Sequence, residues 1–192
     1  MKKLVAAALV AVSALSLAGA TSAISADSMM MSMPVYVGGA PMYAKKNIIE
    51  NAVNSKDHTT LVAAVKAAGL VDALSGPGPF TVFAPTNEAF AALPAGTVDN
   101  LLKPANKKML VKILEAHVAA GHWDAADLLA KAKASGGSFR FKTLSGDYLT
   151  AVAKGNRVYI VDENGGVARI TIKDVEQSNG VIHVVNKVLL PK

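Results

Sequence analysis

The sequence lacks cysteine altogether, and only 5% of its 192 residues are aromatic. Without cysteine the protein forms no disulfide, holds no thiolate-bound metal and carries no lipid on a thiol, so its stability depends on packing alone. Its formal net charge is +6, but the Lys and Arg residues are scattered along the chain. Scattered cations with few aromatics offer no basic stripe with stacking platforms, so we predict no nucleic-acid partner.

Motifs of enzymes are also missing. There is no Gly-x-Ser-x-Gly turn for a serine nucleophile and no glycine-rich loop that opens a helix to cradle phosphate. A zinc site needs three or four ligands at workable spacing. The histidines are far apart in sequence: His58, His117, His122 and His183. We therefore predict that the protein is not an enzyme and has no metal site and no cofactor.

The N-terminus has the pattern of a secretory signal peptide. Lys2 and Lys3 precede an apolar run from Leu4 to Leu17, which small residues follow. The run is shorter than the roughly 20 residues that cross a bilayer, so we predict cleavage and no remaining transmembrane anchor. Cleavage stays open among Ala20, Ala23 and Ala26. Residues 1–26 are assigned to the signal, and the mature protein is expected to be secreted, to the periplasm or beyond.

Residues 27–44 are rich in Met, Ser, Gly and Pro and show no periodic apolar face. This composition predicts a flexible lead before the domain, which is expected to span residues 45–192. Thioethers bind cuprous copper. The segment holds five methionines but neither His nor Cys, so an unstructured spacer is favoured over a copper site.

Helical patterns come first in the domain. Asn47–Asn54, His58–Ala68, Lys107–His117 and Asp124–Ala134 show apolar stripes or capping residues, with Gly69 as a helix stop. A strand is predicted at Phe80–Ala84, followed at once by a helix whose N-cap is expected to be Asn87.

Short alternating segments separated by Gly and Asn turns fill the second half. We predict strands at 138–143, 148–153, 157–161, 167–172, 175–177 and 181–190. Helices followed by antiparallel strands indicate an α+β domain in which the Phe80 strand joins a sheet formed mainly by the later strands.

Two segments carry a family resemblance. Gly78-Pro-Phe-Thr-Val-Phe-Ala-Pro-Thr-Asn-Glu-Ala-Phe90 and Asn179-Gly-Val-Ile-His-Val-Val-Asn-Lys-Val-Leu-Leu-Pro191 resemble the two signatures of the fasciclin domain family. They lie at the positions that would bracket such a domain. The resemblance implies a wedge-shaped β-sandwich of about seven strands with several helices packed in the N-terminal half.

The resemblance also implies a function. Small exported bacterial proteins of this kind are expected to be non-enzymatic adhesion or surface-interaction modules of the envelope, acting as a monomer or weak oligomer on an envelope or matrix protein or polysaccharide. The alternative is binding of an apolar lipid or pigment. A Tyr-His pair linked to adhesion in animal members falls at Ala116-His117. Because Ala116 replaces the tyrosine, integrin-type recognition is not expected to carry over.

The signature positions are the candidate binding residues: Thr81, Phe83, Pro85, Thr86, Asn87, Phe90, His117, His183 and Asn186. Most have a structural interpretation. Pro85, Thr86 and Asn87 end a strand and cap a helix, and His117 and His183 share apolar faces where a hydrogen-bonded core histidine is expected.

Overall fold

The computed structural model describes residues 33–192. The predicted signal peptide and residues 27–32 of the predicted lead lie outside them. The α-helices described are α1 Ile48–Ala52, α2 Thr59–Ala68, α3 Val71–Ser75, α4 Asn87–Ala91, α5 Thr97–Leu101, α6 Lys107–Glu115 and α7 Ala125–Ala134. The strands are β1 Val35–Val37, β2 Ala40–Met42, β3 Phe80–Pro85, β4 Val118–Ala120, β5 Ser138–Lys142, β6 Tyr148–Lys154, β7 Arg157–Val161, β8 Val167–Gln177 and β9 Gly180–Val185. No helix among residues 33–192 combines the length and apolar character that a membrane crossing requires.

The predicted flexible lead was wrong from residue 34 onward. β1 and β2 form an antiparallel hairpin, and Val37 and Met42 are buried in the same hydrophobic cluster as α1 and α2. Asn51 fixes the segment after the hairpin, because its side chain accepts a hydrogen bond from Tyr43 N (3.0 Å) and donates one to Tyr43 O (2.8 Å). Burial of two apolar side chains orders a segment whose composition resembles a linker.

Local sequence explains the helix ends. Asn47 caps α1 in a capping box, in which its side chain accepts from Glu50 N and the Glu50 carboxylate accepts from Asn47 N. Gly69 ends α2 in the left-handed conformation, as its sequence position predicted. The short helices α3 and α5 were not predicted.

The main sheet has seven strands in the order β4-β3-β9-β8-β7-β6-β5. β3 and β9 pair in parallel, from Phe80 opposite Gly180 to Pro85 opposite Val185, and the other neighbours are antiparallel. The two predicted strands at 167–172 and 175–177 are one strand, β8, with irregular register on either side of Ile172. β4 was not predicted.

The sheet curls until its two edge strands approach each other. Ala119 of β4 bridges Thr143, which follows β5, and Leu144 N donates to Val118 O at 2.8 Å. One apolar core lies between α1, α2, α4, α6 and the β3–β9 pair, and a second lies between α7 and the inner faces of β5 to β8. The predicted α+β class with seven strands is confirmed.

Candidate functional site

The two signature segments meet in space through the parallel pairing of β3 and β9. Thr81 is fully buried, and its hydroxyl donates to Gly121 O (2.8 Å) while accepting from Trp123 N (3.0 Å). His183 is also fully buried, and its Nε2 donates to Trp123 O at 2.8 Å. Both signature side chains therefore hold the loop between β4 and α7, 40 residues or more from Thr81 in sequence.

His183 is held in its neutral form. Its Nδ1 accepts from Asp174 N (3.2 Å), so both ring nitrogens are used, and its ring stacks on Phe83 with centroids 5.6 Å apart. Burial lowers the pKa of His183 below its ordinary 6.5. A buried, neutral imidazole with a hydrogen bond at each ring nitrogen has a structural role.

The predicted N-cap at Asn87 was wrong by one residue. Thr86 has the extended backbone of an N-cap, and its hydroxyl accepts from Ala89 N at 3.3 Å. The Asn87 side chain instead accepts from Thr60 N (3.0 Å) and donates to Lys56 O (2.9 Å). Asn87 thus joins α4 to the start of α2.

The remaining signature residues are also engaged inside the fold. His117 Nδ1 donates to Ile113 O (2.8 Å), and its Nε2 accepts from Leu189 N (2.9 Å). Burial lowers the pKa of His117 from 6.5 to about 4. Asn186 extends the β8–β9 pairing, since its Oδ1 accepts from Arg169 N at 2.8 Å. Phe90 and Pro85 are buried.

The exposed face of β5, β6, β7 and the first half of β8 carries a different set of side chains. Strand alternation directs alternate residues of these strands outward, away from α7. The basic aromatic face, as we define it, consists of Arg140, Lys142, Tyr148, Lys154, Arg157, Tyr159 and Arg169. No outward position on β5 to β7 or on 167–171 of β8 is acidic.

Register places these residues in neighbouring pairs. Lys142 lies opposite Tyr148, Lys154 opposite Arg157, and Tyr159 opposite Arg169.

Cation–π contacts hold the two rings in place. Arg140 lies 4.0 Å from the Tyr148 ring centroid, and Lys154 lies 5.4 Å from that of Tyr159. An anion, Glu163, reaches this face from the β7–β8 turn and pairs with Arg140 at 2.7 Å. The prediction that the cations are merely scattered was wrong for this face.

The apolar space in the helical core is small. A cavity of about 40 Å³ lies between α1, α2, β3 and α6 and is lined by residues such as Ile48, Leu61 and Leu114. Pockets that take drug-sized ligands measure about 300 Å³ or more. In this conformation the cavity has no room for a lipid or pigment.

The family model described as the fasciclin domain matches residues 56–191. The chain belongs to the fasciclin domain family. The match supports the resemblance found in the two signatures, and the fasciclin domain forms one compact unit over residues 34–192.

Relatives cover most of this fasciclin domain. Protein sll1483 of Synechocystis sp. is 51% identical over 144 residues, which are 75% of this chain and 73% of that protein. Uncharacterized protein sll1735 of the same organism is 42% identical over 147 residues, 75% of this chain and 97% of that protein. Transforming growth factor-beta-induced protein ig-h3 of Sus scrofa is 40% identical over 131 residues, 68% of this chain but 17% of that protein.

A solved structure of a FAS1 domain pair from the insect cell adhesion molecule Fasciclin I has the same fold. The TM-score is 0.67 at 20% identity, covering 76% of this chain and 51% of that one. At this identity the likeness shows the fold alone.

Proposed function

We propose that this fasciclin domain is an adhesion or surface-interaction module that binds an acidic polysaccharide of the envelope or matrix through its basic aromatic face. The observation that carries the proposal is the convergence of five cations and two tyrosines on the outer face of one sheet, with Glu163 as the anion beside them.

The chemistry of the face suits a polymer of charged sugars. Arg and Lys bind carboxylate and sulfate groups, Arg with two parallel hydrogen bonds. Tyrosine rings present flat apolar surface with a polar edge, which suits the apolar side of a sugar ring. Tyr148 is 38% exposed and already has Arg140 over it, so a ring and a guanidinium stand side by side.

Recognition without catalysis is part of the proposal. The buried histidines His117 and His183 are neutral and use both ring nitrogens in structural hydrogen bonds, which leaves neither as a general base. We also propose that the domain acts outside the cytoplasm. The pattern of the N-terminal segment supports export, and the solved relative is from a cell adhesion molecule.

The experiment measures binding of the purified protein to polygalacturonate, a uniformly carboxylated polysaccharide, with neutral dextran as the uncharged comparison. The double variant Lys154→Gln/Arg157→Gln removes two adjacent cations from the face. It is expected to bind about fivefold to tenfold more weakly, because exposed charge contacts contribute up to about 1 kcal/mol each. Added salt is expected to weaken binding of the unchanged protein.

A matched control removes the same charge elsewhere. Lys107→Gln/Lys108→Gln neutralises two exposed lysines of α6, outside the sheet. It is expected to bind as the unchanged protein does. Equal weakening by both pairs would show net charge acting without a defined face. No binding to polygalacturonate, or preference for DNA over it, would refute the proposal.

A further inference from the structure

A second cluster of polar side chains lies at the loop that Thr81 and His183 hold. His122 and Asp124 belong to this loop, between β4 and α7, and Glu176 belongs to β8. His122 Nε2 lies 3.0 Å from Asp124 Oδ1 and 3.5 Å from Glu176 Oε1. One potential ligand atom from each of the three residues lies within 4.8 Å of the others.

These separations match those of a metal's ligands. Zn²⁺ holds nitrogen and oxygen ligands at about 2.0–2.1 Å in a tetrahedron, which sets ligand atoms about 3.4 Å apart. The two distances from His122 Nε2, 3.0 and 3.5 Å, fall on either side of this value. All three side chains are partly exposed, so an ion can enter and water can complete the coordination.

We propose that His122, Asp124 and Glu176 form a site for a divalent transition-metal ion, with Zn²⁺ the best match. Imidazole nitrogen with two carboxylates suits Zn²⁺ better than Mg²⁺ or Ca²⁺, which prefer oxygen ligands alone. In this structure His122 Nε2 donates a hydrogen bond to Asp124 Oδ1, and a bound metal ion would take the place of that proton.

The backbone that carries two of the ligands is held on both sides of Trp123. Thr81 Oγ1 accepts from Trp123 N, and His183 Nε2 donates to Trp123 O. The Trp123 indole donates in turn to Ala120 O at 3.0 Å. Because both backbone groups of Trp123 are hydrogen-bonded, the backbone of the adjacent residues His122 and Asp124 is also held in place. The loop therefore presents the two side chains in a defined arrangement before an ion binds.

The Asp124 carboxylate is directed to His122 rather than to the helix end, because another residue performs the capping. Asp124 stands at the N-cap position of α7, yet its side chain makes no capping hydrogen bond. Ala125 N donates instead to Asp174 Oδ1 at 2.7 Å. Asp174 thus takes the capping role at α7, and Asp124 Oδ1 accepts from His122 Nε2 instead.

The irregular backbone of β8 positions the third residue, Glu176. Asp174 has a positive φ of 55°, and the register of β8 against β9 shifts beside it. Val175 and Gln177 are buried, which turns the side chain between them, Glu176, outward toward His122.

The electrostatics of the cluster favour a cation. Three carboxylates, those of Asp124, Asp174 and Glu176, gather on a protein whose net charge is +6. A divalent cation would offset the repulsion among these groups.

The test is calorimetric titration of ZnCl₂ into the purified full-length protein. We expect one high-affinity Zn²⁺ per chain and a Zn²⁺-dependent rise in the unfolding temperature. His122→Gln and Glu176→Gln each remove one ligand and are expected to weaken binding about tenfold or more. Both positions are exposed enough that the variants should unfold as the unchanged protein does without metal.

Asp99→Asn is the matched control for Glu176→Gln. Asp99 is an exposed acid on α5, and each of the two substitutions removes one negative charge. It should bind Zn²⁺ as the unchanged protein does. Absence of Zn²⁺ binding by the unchanged protein would overturn the site, and so would unaltered binding by both ligand variants. Neither outcome affects the polysaccharide proposal, which concerns the outer face of β5 to β7 and residues 167–171 of β8.

Discussion

Thr81 and Trp123 are 42 residues apart in sequence and are joined by a hydrogen bond of 3.0 Å from the Trp123 backbone N–H to the Thr81 hydroxyl. The same hydroxyl donates to Gly121 O. Thr81→Val keeps the shape of the side chain but leaves both backbone groups without this partner. We expect the free energy of unfolding to fall by about 2–4 kcal/mol, because each buried unsatisfied group costs about 1–3 kcal/mol.

Urea unfolding of Thr81→Val measures this loss. Thr150→Val, on the outward face of β6, is the matched control and should change stability by less than about 0.5 kcal/mol. Similar losses in the two variants would contradict the proposed role of Thr81. If the cluster binds Zn²⁺, Thr81→Val should also weaken Zn²⁺ binding by loosening the loop.

Protonation of His117 makes stability depend on pH. Its pKa is about 4 in the folded protein and 6.5 when unperturbed. Below pH 6.5 the unfolded chain takes up a proton that the folded protein does not bind. The free energy of unfolding is therefore highest above pH 6.5 and falls as the pH drops toward 4. His117 alone should cost about 2 kcal/mol by about pH 5.

Burial also lowers the pKa of His58 and of His183, so both act in the same direction. Urea unfolding at several pH values between about 7 and 5 measures the sum. Histidine ring resonances recorded by NMR in the same range separate the sites, since that of His117 should stay in its neutral position. A free energy of unfolding that is flat over this range would contradict the assignment.

Gly180 opens β9 directly beside the backbone of Phe80 on β3. A Cβ added at Gly180 would lie 2.0 Å from Phe80 O, and this backbone oxygen cannot move aside without breaking the β3–β9 pairing. Gly180→Ala should therefore destabilise the protein by more than about 3 kcal/mol.

Gly155→Ala is the comparison for Gly180→Ala. Gly155 also has positive φ, 62°, but a Cβ there meets no atom within 4 Å. Its substitution should cost about 1 kcal/mol, the strain of the left-handed conformation alone. Thermal unfolding of both variants measures the two losses of stability. Equal losses would show that the contact with Phe80 O does not account for the effect of Gly180→Ala.

Met42 tests whether the β1–β2 hairpin belongs to the folded domain. Its side chain is 5% exposed and packs in the core with Val37, whereas Met33 is 90% exposed. Met42→Ala should cost about 2–4 kcal/mol through lost burial and a cavity. Met33→Ala should be neutral within about 0.5 kcal/mol. A neutral Met42→Ala would place the hairpin outside the cooperative unit.

Sequence patterns captured most regular elements because they depend on local properties. Asn47 and Glu50 stand at capping-box spacing, and Gly69 stands where a helix ends. The alternation in residues 138–161 gave β5, β6 and β7 within one residue of their observed ends.

Features that depend on distant contacts were missed. The β1–β2 hairpin contains Pro41 and two adjacent glycines, so its order comes from the burial of Val37 and Met42 rather than from local preference. The basic aromatic face requires the register of four strands. Its signal was the i, i+2 spacing of pairs such as Arg140 and Lys142 within strands already predicted.

The cluster at His122 does not follow from the spacing of the histidines, because no second histidine and no cysteine belongs to it. Its other members are carboxylates, and Glu176 lies 54 residues along the chain from His122, on a strand whose irregular turn at Asp174 was not predictable from alternation.

The parallel pair β3–β9 has a consequence for the order in which the sheet forms. In chain order these neighbours are the first and last strands of the seven-stranded sheet, and Phe80 and Gly180, which lie opposite each other, are 100 residues apart in sequence. Closing so long a loop costs conformational entropy before the pairing contributes any stability, so we expect the central ladder to form late and to limit the rate of folding.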